Sequence, residues 1–389
     1  MPDATAADVG RWAEEIDRVR DRLGPRFARS EARARVGTYL RGLLAGVERK
    51  NGWQLAEFAG DLSPANVQHF IGRAAWDADA VRDDLRASVV EHLGEPDGVL
   101  IVDETGSLKK GEKSVGVQRQ YTGTAGRIES SQVGVSLAYR STRGHALVDR
   151  ALYLPRCWAG DAPRREAAHV PGSVAFATKP ALARGMVERA LEAGVPAAWV
   201  TADEVYGSDS KFRRLLEGRG VGYVLAVACS QRLFLGGCYG RADDHVADLP
   251  TSAWVSRSCG AGSKGERTYE WAFVPFSHPT ERGLRRGLLV RRSLADPGER
   301  AYYLTHAPAG AGEGDLARVA GSRWAVEECF ELAKGECGLA HGEGRTWHAW
   351  HRHVTLSMFA LAVLAALRSR ADAAEGAARA PAEKKLGRG

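Results

Sequence analysis

No cysteine in this 389-residue chain has the company that a zinc site or a redox pair needs. The six thiols, Cys157, Cys229, Cys238, Cys259, Cys329 and Cys337, form no C-x-x-C pair, and no matching histidine spacing goes with them. Their scatter predicts reduced, mostly buried thiols in a cytoplasmic protein. Long apolar runs are missing too. Met1 to Gly10 holds no apolar signal region. The longest apolar stretch, Val354 to Leu367, is interrupted by Thr355 and Ser357 and falls short of the ~20 residues that cross a bilayer. It reads as a buried core helix, with no membrane partner. Internal repeats are absent, and neither sign of charge dominates. There are 54 Lys and Arg against 48 Asp and Glu, a net charge of +6. That basic excess suits a nucleic-acid partner without requiring one. What is present is ordinary for a globular chain: 44% hydrophobic and 26% charged residues, at a length that fits two or three units.

Pattern divides the chain into five stretches. Residues 1–95 read as helices, with Trp12, Ile16, Val19 and Leu23 at helical spacing, then Val36, Tyr39, Leu40, Leu43 and Leu44. This region is either a DNA-binding module or a structural cap on the next unit. Residues 96–228 read as α/β, with three strands followed by helix, strand, helix and strand. That order predicts a mixed sheet. Residues 229–310 read as a β-rich insertion. Residues 311–370 return to helix, and 371–389 have no apolar periodicity and are expected to be a disordered tail.

Two strands have the same form. Val99-Leu100-Ile101-Val102 ends in Asp103, and Ala198 to Ala202 ends in Asp203. Each delivers a carboxylate to the carboxyl edge of a sheet, where α/β sites gather. Successive strand residues face opposite ways, so if Asp103 and Asp203 converge, Glu104 and Glu204 point elsewhere. Farther on, Arg323, Glu327 and Lys334 fall within roughly 40° of one another around a helix. An ordinary solvated face would give the same stripe. Here, however, it lies among Trp324, Val326, Phe330 and Leu332. Three acids from distant segments are what two-metal phosphoryl chemistry requires. Mg²⁺ keeps several waters, and two such ions ~3.5–4 Å apart activate a hydroxyl and stabilise the leaving oxygen.

The stretch "IVDETGSLKKGEKSVGVQRQYTGTAGRIESSQVGVSLAY" from Ile101 to Tyr139 closely resembles bacterial insertion-sequence transposases of family 701, within the DDE class. So do "ADEVYG" at Ala202 to Gly207, "GSRWAVEECFELAKGECGL" at Gly321 to Leu339 and "HRHVTL" at His351 to Leu356. The resemblance runs from about Trp12 to Leu367. It implies an RNase H-like mixed sheet with flanking helices, a β insertion before the last catalytic helix, and Asp103, Asp203 and Glu327 as the catalytic, metal-holding acids. It implies two divalent ions, Mg²⁺ or Mn²⁺. The implied partners are the inverted-repeat ends of the encoding element and a target DNA, bound by a homodimer. A signature of Tyr, Arg, Glu and Lys found in relatives maps onto Arg323, Glu327 and Lys334, with Ala320 at the Tyr position. Arg323 and Lys334 are the implied phosphate contacts.

The segment after Asp103 is rich in donors, among them Lys109, Lys110 and Arg119, beside Gln118, Gln120 and Tyr121. Side chains of this kind suit phosphate and sugar contacts, or form a charged hairpin with no such role. Two other functions stay open on sequence. One is a non-catalytic DNA-binding protein derived from a transposase. The other is a carboxylate-pair glycosidase, against which the basic neighbours and the helix-borne Glu327 argue. His348, His351 and His353 lie near Trp347 and Trp350 and read as a packing cluster.

Overall fold

The structure is a computed structural model that describes residues 6–262, 265–276, 284–308 and 310–379. Its centre is a long mixed sheet. Strand β1 (Val99–Leu108) lies antiparallel to β3 (Arg127–Ser141), whose outer edge is taken first by β2 (Gln118–Thr122) and then by β4 (Gly144–Leu152). On its other side β1 pairs parallel with β5 (Trp199–Ala202), and β5 pairs parallel with β6 (Gly222–Val227). The path β4-β3-β1-β5-β6, three antiparallel strands followed by two parallel ones, is the RNase H-like arrangement expected from the sequence.

The β-rich insertion is not a separate lobe. After a small hairpin, β7 (Arg232–Leu235) with β8 (Cys238–Arg241), come β9 (Val255–Gly262), β10 (Gly265–Pro275), β11 (Leu284–Arg292) and β12 (Arg300–Pro308). Strand β12 pairs antiparallel with β6, and β11, β10 and β9 follow in turn, so the insertion continues the same sheet.

Two short helices, α6 (Arg156–Ala159) and α7 (Ala162–Ala167), follow β4, and other helices cover both faces of the sheet. On one lie α8 (Lys179–Glu192), α9 (Glu204–Gly207) and α10 (Ser210–Arg219). On the other lie α11 (Glu313–Ser322), α12 (Trp324–Gly335) and α13 (Trp347–Arg379). The side chains of β1 settle which is which. Asp103 meets Arg323 at the start of α12, whereas its neighbour Glu104 meets α8 and α9, as strand alternation demands. Helix α13 is long and apolar enough to cross a membrane by composition. Its middle, Leu356 to Val363, is buried against the fold, so it is the core helix that was expected.

The N-terminal helices α1 (Ala6–Leu23), α2 (Ser30–Leu44), α3 (Gly52–Phe58), α4 (Ala65–Gly72) and α5 (Ala78–Leu93) pack on α13 and the β4 edge. Much of the join is polar. The Arg150 guanidinium on β4 is enclosed, donating to Asp79 Oδ1 at 2.8 Å, Thr355 Oγ1 at 2.8 Å and the Ala78 carbonyl at 3.1 Å. Asp149, fully buried, lies 3.0 Å from Arg189 and 3.7 Å from Arg82. His353 links Tyr39 to the Gly338 carbonyl, and burial pushes its imidazole down to about 4. His351 is half-buried against Trp347 and Trp350. His351 and His353 are therefore packing residues, whereas His348 is exposed.

Three expectations change. Strand β1 does not end at Asp103 but runs on to Leu108, because β3 offers it partners along the whole length. Helix α13 continues to Arg379, into the stretch read as a disordered tail. Its last turns are rich in alanine, which forms helix without needing an apolar stripe. Residues 380–389 of that tail lie outside the described residues. Finally, Cys157, Cys229 and Cys238 are exposed, against the expectation of mostly buried thiols.

Candidate active site

Asp103 and Asp203 arrive from adjacent parallel strands and line one cavity of about 520 Å³. Strand β5 stops at Ala202, and Asp203 then caps α9, its Oδ1 accepting from the Val205 and Tyr206 amides at 3.0 and 3.4 Å. Helix α9 sits close on β6, since a Cβ on Gly207 would fall 1.9 Å from the Ala226 carbonyl oxygen. Asp103 Oδ1 accepts from the Glu104 amide at 2.8 Å. Its Oδ2 accepts from Arg323 Nη1 at 2.9 Å.

Arg323 is the junction of the site. It closes α11 and opens α12, which aims its side chain back at the sheet. Its Nη2 donates to Glu327 Oε1 at 2.5 Å, so one guanidinium bridges Asp103 and Glu327. Glu327 does not line the cavity itself. Lys334, seven residues farther along α12, donates to Thr124 Oγ1 at 2.9 Å in the β2–β3 turn. Ala320 lines the cavity, so no ring occupies the place where relatives carry Tyr.

Burial governs the electrostatics. The Asp103 carboxyl is pushed up to about 7, first by burial, against the pull of Arg323 and with a further push from Asp203. Asp203 is raised as well, by burial and then by Glu104. Lys334 is lowered by burial. Two carboxyls raised in this way call for positive charge, and Arg323 supplies part of it.

The opposite wall of the cavity comes from the insertion and was not read from sequence. It carries Arg267, Arg291 and Arg300 among Tyr269, Trp271, Tyr302 and Tyr303. Arg291 stacks on Tyr269 at 4.4 Å from the ring centre. The Trp271 Nε1 and Arg267 Nε atoms are buried, with no hydrogen-bond partner among the described residues. These residues are spread over β10, β11 and β12, and only strand pairing brings them together. No local spacing could have marked them.

The other predicted contacts lie elsewhere. Lys109 is half-buried and donates to the Gly342 carbonyl at 2.6 Å. Lys110 and Arg119 are exposed and do not line the cavity. Among the described residues no set of three or more His, Cys, Asp and Glu side chains is arranged to hold a metal ion. The donor chemistry still fits a divalent cation. Two half-buried carboxyls share a cavity, each with a raised pKa, and the third is tied to the first through a single cation.

An RNase H-like sheet with half-buried aspartates on neighbouring parallel strands defines a nuclease-type core. The chain belongs to the DDE superfamily endonucleases, whose family model matches residues 22–239. It is also 27% identical over 191 residues to a probable transposase for insertion sequence element IS701 from Microchaete diplosiphon. That match takes in 48% of this chain and 46% of the relative, so the chain spans about half the length of the curated protein it resembles. The resemblance read from the motifs agrees with both findings. Among solved structures, the NurA nuclease from Sulfolobus solfataricus overlaps 66% of this chain and 91% of its own, at 10% identity and a TM-score of 0.29. The fold assignment rests on strand order and not on that overlap.

Proposed function

We propose that the chain is a transposase that cleaves DNA at the ends of its own insertion sequence and transfers the freed strand to a target. Asp103, Asp203 and Glu327 would hold two divalent ions, Mg²⁺ or Mn²⁺. When bound, such ions activate a water or 3′-hydroxyl and stabilise the leaving oxygen. The observation that carries the reading is the pair of half-buried aspartates on one cavity, with Arg323 tying Asp103 to Glu327.

The chain's own residues have definite parts in this reading. Arg323 exchanges its two carboxylates for a DNA phosphate, which frees Asp103 and Glu327 to act as ligands. Guanidinium groups suit that exchange, because carboxylate and phosphate present the same paired oxygens. Lys334, which donates to Thr124 Oγ1, holds phosphate near the β2–β3 turn. The arginines and rings of the insertion wall hold the strand opposite the acids through phosphate contacts and stacking. Two DNA ends are engaged by two copies of the chain, in the cytoplasm.

The test is a cleavage assay on labelled DNA carrying the ends of the encoding element, with Mg²⁺ or EDTA. The expected outcome is metal-dependent cutting that falls by at least about 1,000-fold in Asp103→Ala, Asp203→Ala and Glu327→Ala, while end binding survives. Binding without cutting by the wild type, in Mg²⁺ and in Mn²⁺, would instead mark a DNA-binding protein that has lost its chemistry. Cutting that persists in Glu327→Ala would move the third acid to Glu328.

A further inference from the structure

The mechanism above leaves one partly buried polar cluster unused, and it touches the site from behind. Glu104 follows Asp103 on β1 but faces the opposite helical layer. Its Oε1 accepts from Lys179 Nζ, at the start of α8, at 2.5 Å. Its Oε2 accepts from the Tyr206 hydroxyl, and Tyr206 is fully buried. Tyr206 belongs to α9, the helix that Asp203 caps, and its amide is one of the two donors to Asp203 Oδ1. An unbroken path therefore runs from Asp103 through Glu104 and Tyr206 to Asp203.

Helix α9 spans only Glu204–Gly207. One turn of helix does not hold itself, because nucleation costs more than a single hydrogen bond returns. Its position must come from outside. From β6 it meets a steric stop, the close approach of Gly207 to the Ala226 carbonyl. Sterics fix how near α9 can come but not where it sits along β1. A directional bond to Tyr206 from a carboxylate anchored on β1 supplies that. An apolar contact would clamp the helix at no greater cost, since a buried ion pair gains little over apolar side chains of the same shape. What the polar cluster adds is direction.

We propose that Glu104, Tyr206 and Lys179 are positioning residues that set Asp203 against Asp103, and so determine how tightly the pair binds divalent metal. None of them touches the reacting atoms. The proposal rests on the metal-dependent reading above. Partners of this kind, one step behind the ligands, alter metal affinity by about 10- to 100-fold.

The experiment titrates Mn²⁺ into the full-length protein bound to an element-end DNA, followed by electron paramagnetic resonance of the free ion. Cleavage is measured against Mg²⁺ concentration in parallel. Tyr206→Phe keeps the ring and removes the hydroxyl. It is expected to weaken Mn²⁺ binding about tenfold and to raise the Mg²⁺ needed for half-maximal cleavage alike. The cleavage rate at saturating metal, and end binding in EDTA, should stay within about threefold of wild type. Glu104→Gln can still accept from Tyr206 and is expected to lose less than Tyr206→Phe. Lys179→Met, at a half-exposed position, is the fallback should Tyr206→Phe fail to fold, and should shift the metal curve in the same direction.

Tyr206→Phe and Lys179→Met that titrate like wild type, whatever their thermal stability, would overturn the proposal. So would a fall in the saturated rate with metal affinity unchanged. Asp203→Ala separates this proposal from the metal reading beneath it. If wild type binds Mn²⁺ and Asp203→Ala does not, the metal reading stands and the proposal is judged by Tyr206→Phe alone. If Asp203→Ala binds Mn²⁺ like wild type, the metal reading itself has failed.

Discussion

At one end of the molecule α1 to α5 reach the core through α13 and β4. At the other, β9 to β12 continue the core sheet itself. Both regions look like additions to an α/β unit when read as sequence. The helical layer contributes Asp79 and Arg82 to an ionic network centred on the buried Asp149 and Arg150 of β4, and gives no side chain to the cavity at Asp103 and Asp203. The insertion brings three arginines and four aromatic rings to that cavity. An added segment thus bears on a site when it extends the sheet edge that carries the site. Packing on the outer helix does not bring it there.

The largest expected effect tests the helical side. Asp149→Ala would leave Arg150 buried beside one fewer anion and take the partner of Arg189 away. Breaking one member of a buried charge network costs about 3–5 kcal/mol. The thermal midpoint should fall on the order of 10 °C. Metal-dependent cleavage per folded molecule, measured well below the midpoint, should hold. A variant that melts like wild type yet cuts poorly would show that the helical layer acts on the site, and the contrast between the two regions would fail.

The insertion side makes the reverse prediction. No carboxylate pairs with Arg291 or Arg300 among the described residues, and Arg291 is held by its stack on Tyr269. The double variant Arg291→Ala, Arg300→Ala should melt within a few degrees of wild type. Its affinity for element ends should drop, and the slope of log affinity against log salt should shrink by about two, roughly one for each phosphate that an arginine no longer neutralises. Fluorescence anisotropy across a salt series reads both quantities. An unchanged slope would mean that this wall does not face DNA.

The same contrast explains how much was legible in the sequence. Asp103 and Asp203 were visible because each ends a run of buried residues, and parallel strands bring such ends together. Arg323 and Glu327 were visible because a helix repeats every 3.6 residues. Their mutual bond needs no long-range knowledge, whereas the second bond, from Arg323 to Asp103, does. Glu104 was rightly expected to face away from Asp103, but the sequence held no sign that Lys179 and Tyr206 wait on that side. Strand β1 was cut short because Thr105 and Ser107 interrupt the apolar run, although their backbones pair with Gly134 and Gln132. The insertion wall was invisible for the same reason on a larger scale. Arg267, Arg291 and Arg300 become neighbours only through the order of three strands.

The smallest expected effect isolates the acidic side of the cavity from the basic one, and its sign can be worked out. Asp103 is pushed from its ordinary 3.8 up to about 7, chiefly by burial. A group whose folded value is raised stabilises the fold fully below its unfolded value, and that contribution is lost as pH rises through the folded one. Metal-free protein should therefore lose this contribution between about pH 4 and pH 7. Asp103→Asn has no proton to lose. Its thermal midpoint in EDTA should track wild type at pH 5 and exceed it by a few degrees at pH 8. Excess Mn²⁺ should close the gap by stabilising wild type, because a bound dication takes the place of the proton. For the same reason wild-type metal affinity should rise with pH up to about 7 and then level off. The Arg291→Ala, Arg300→Ala variant, altered only on the opposite wall, should follow the wild-type pH curve throughout. Melting curves for Asp103→Asn and wild type that stay parallel from pH 5 to 8 would show that this carboxyl ionises at its ordinary value. The case for a charge-hungry site would then rest on Asp203 alone.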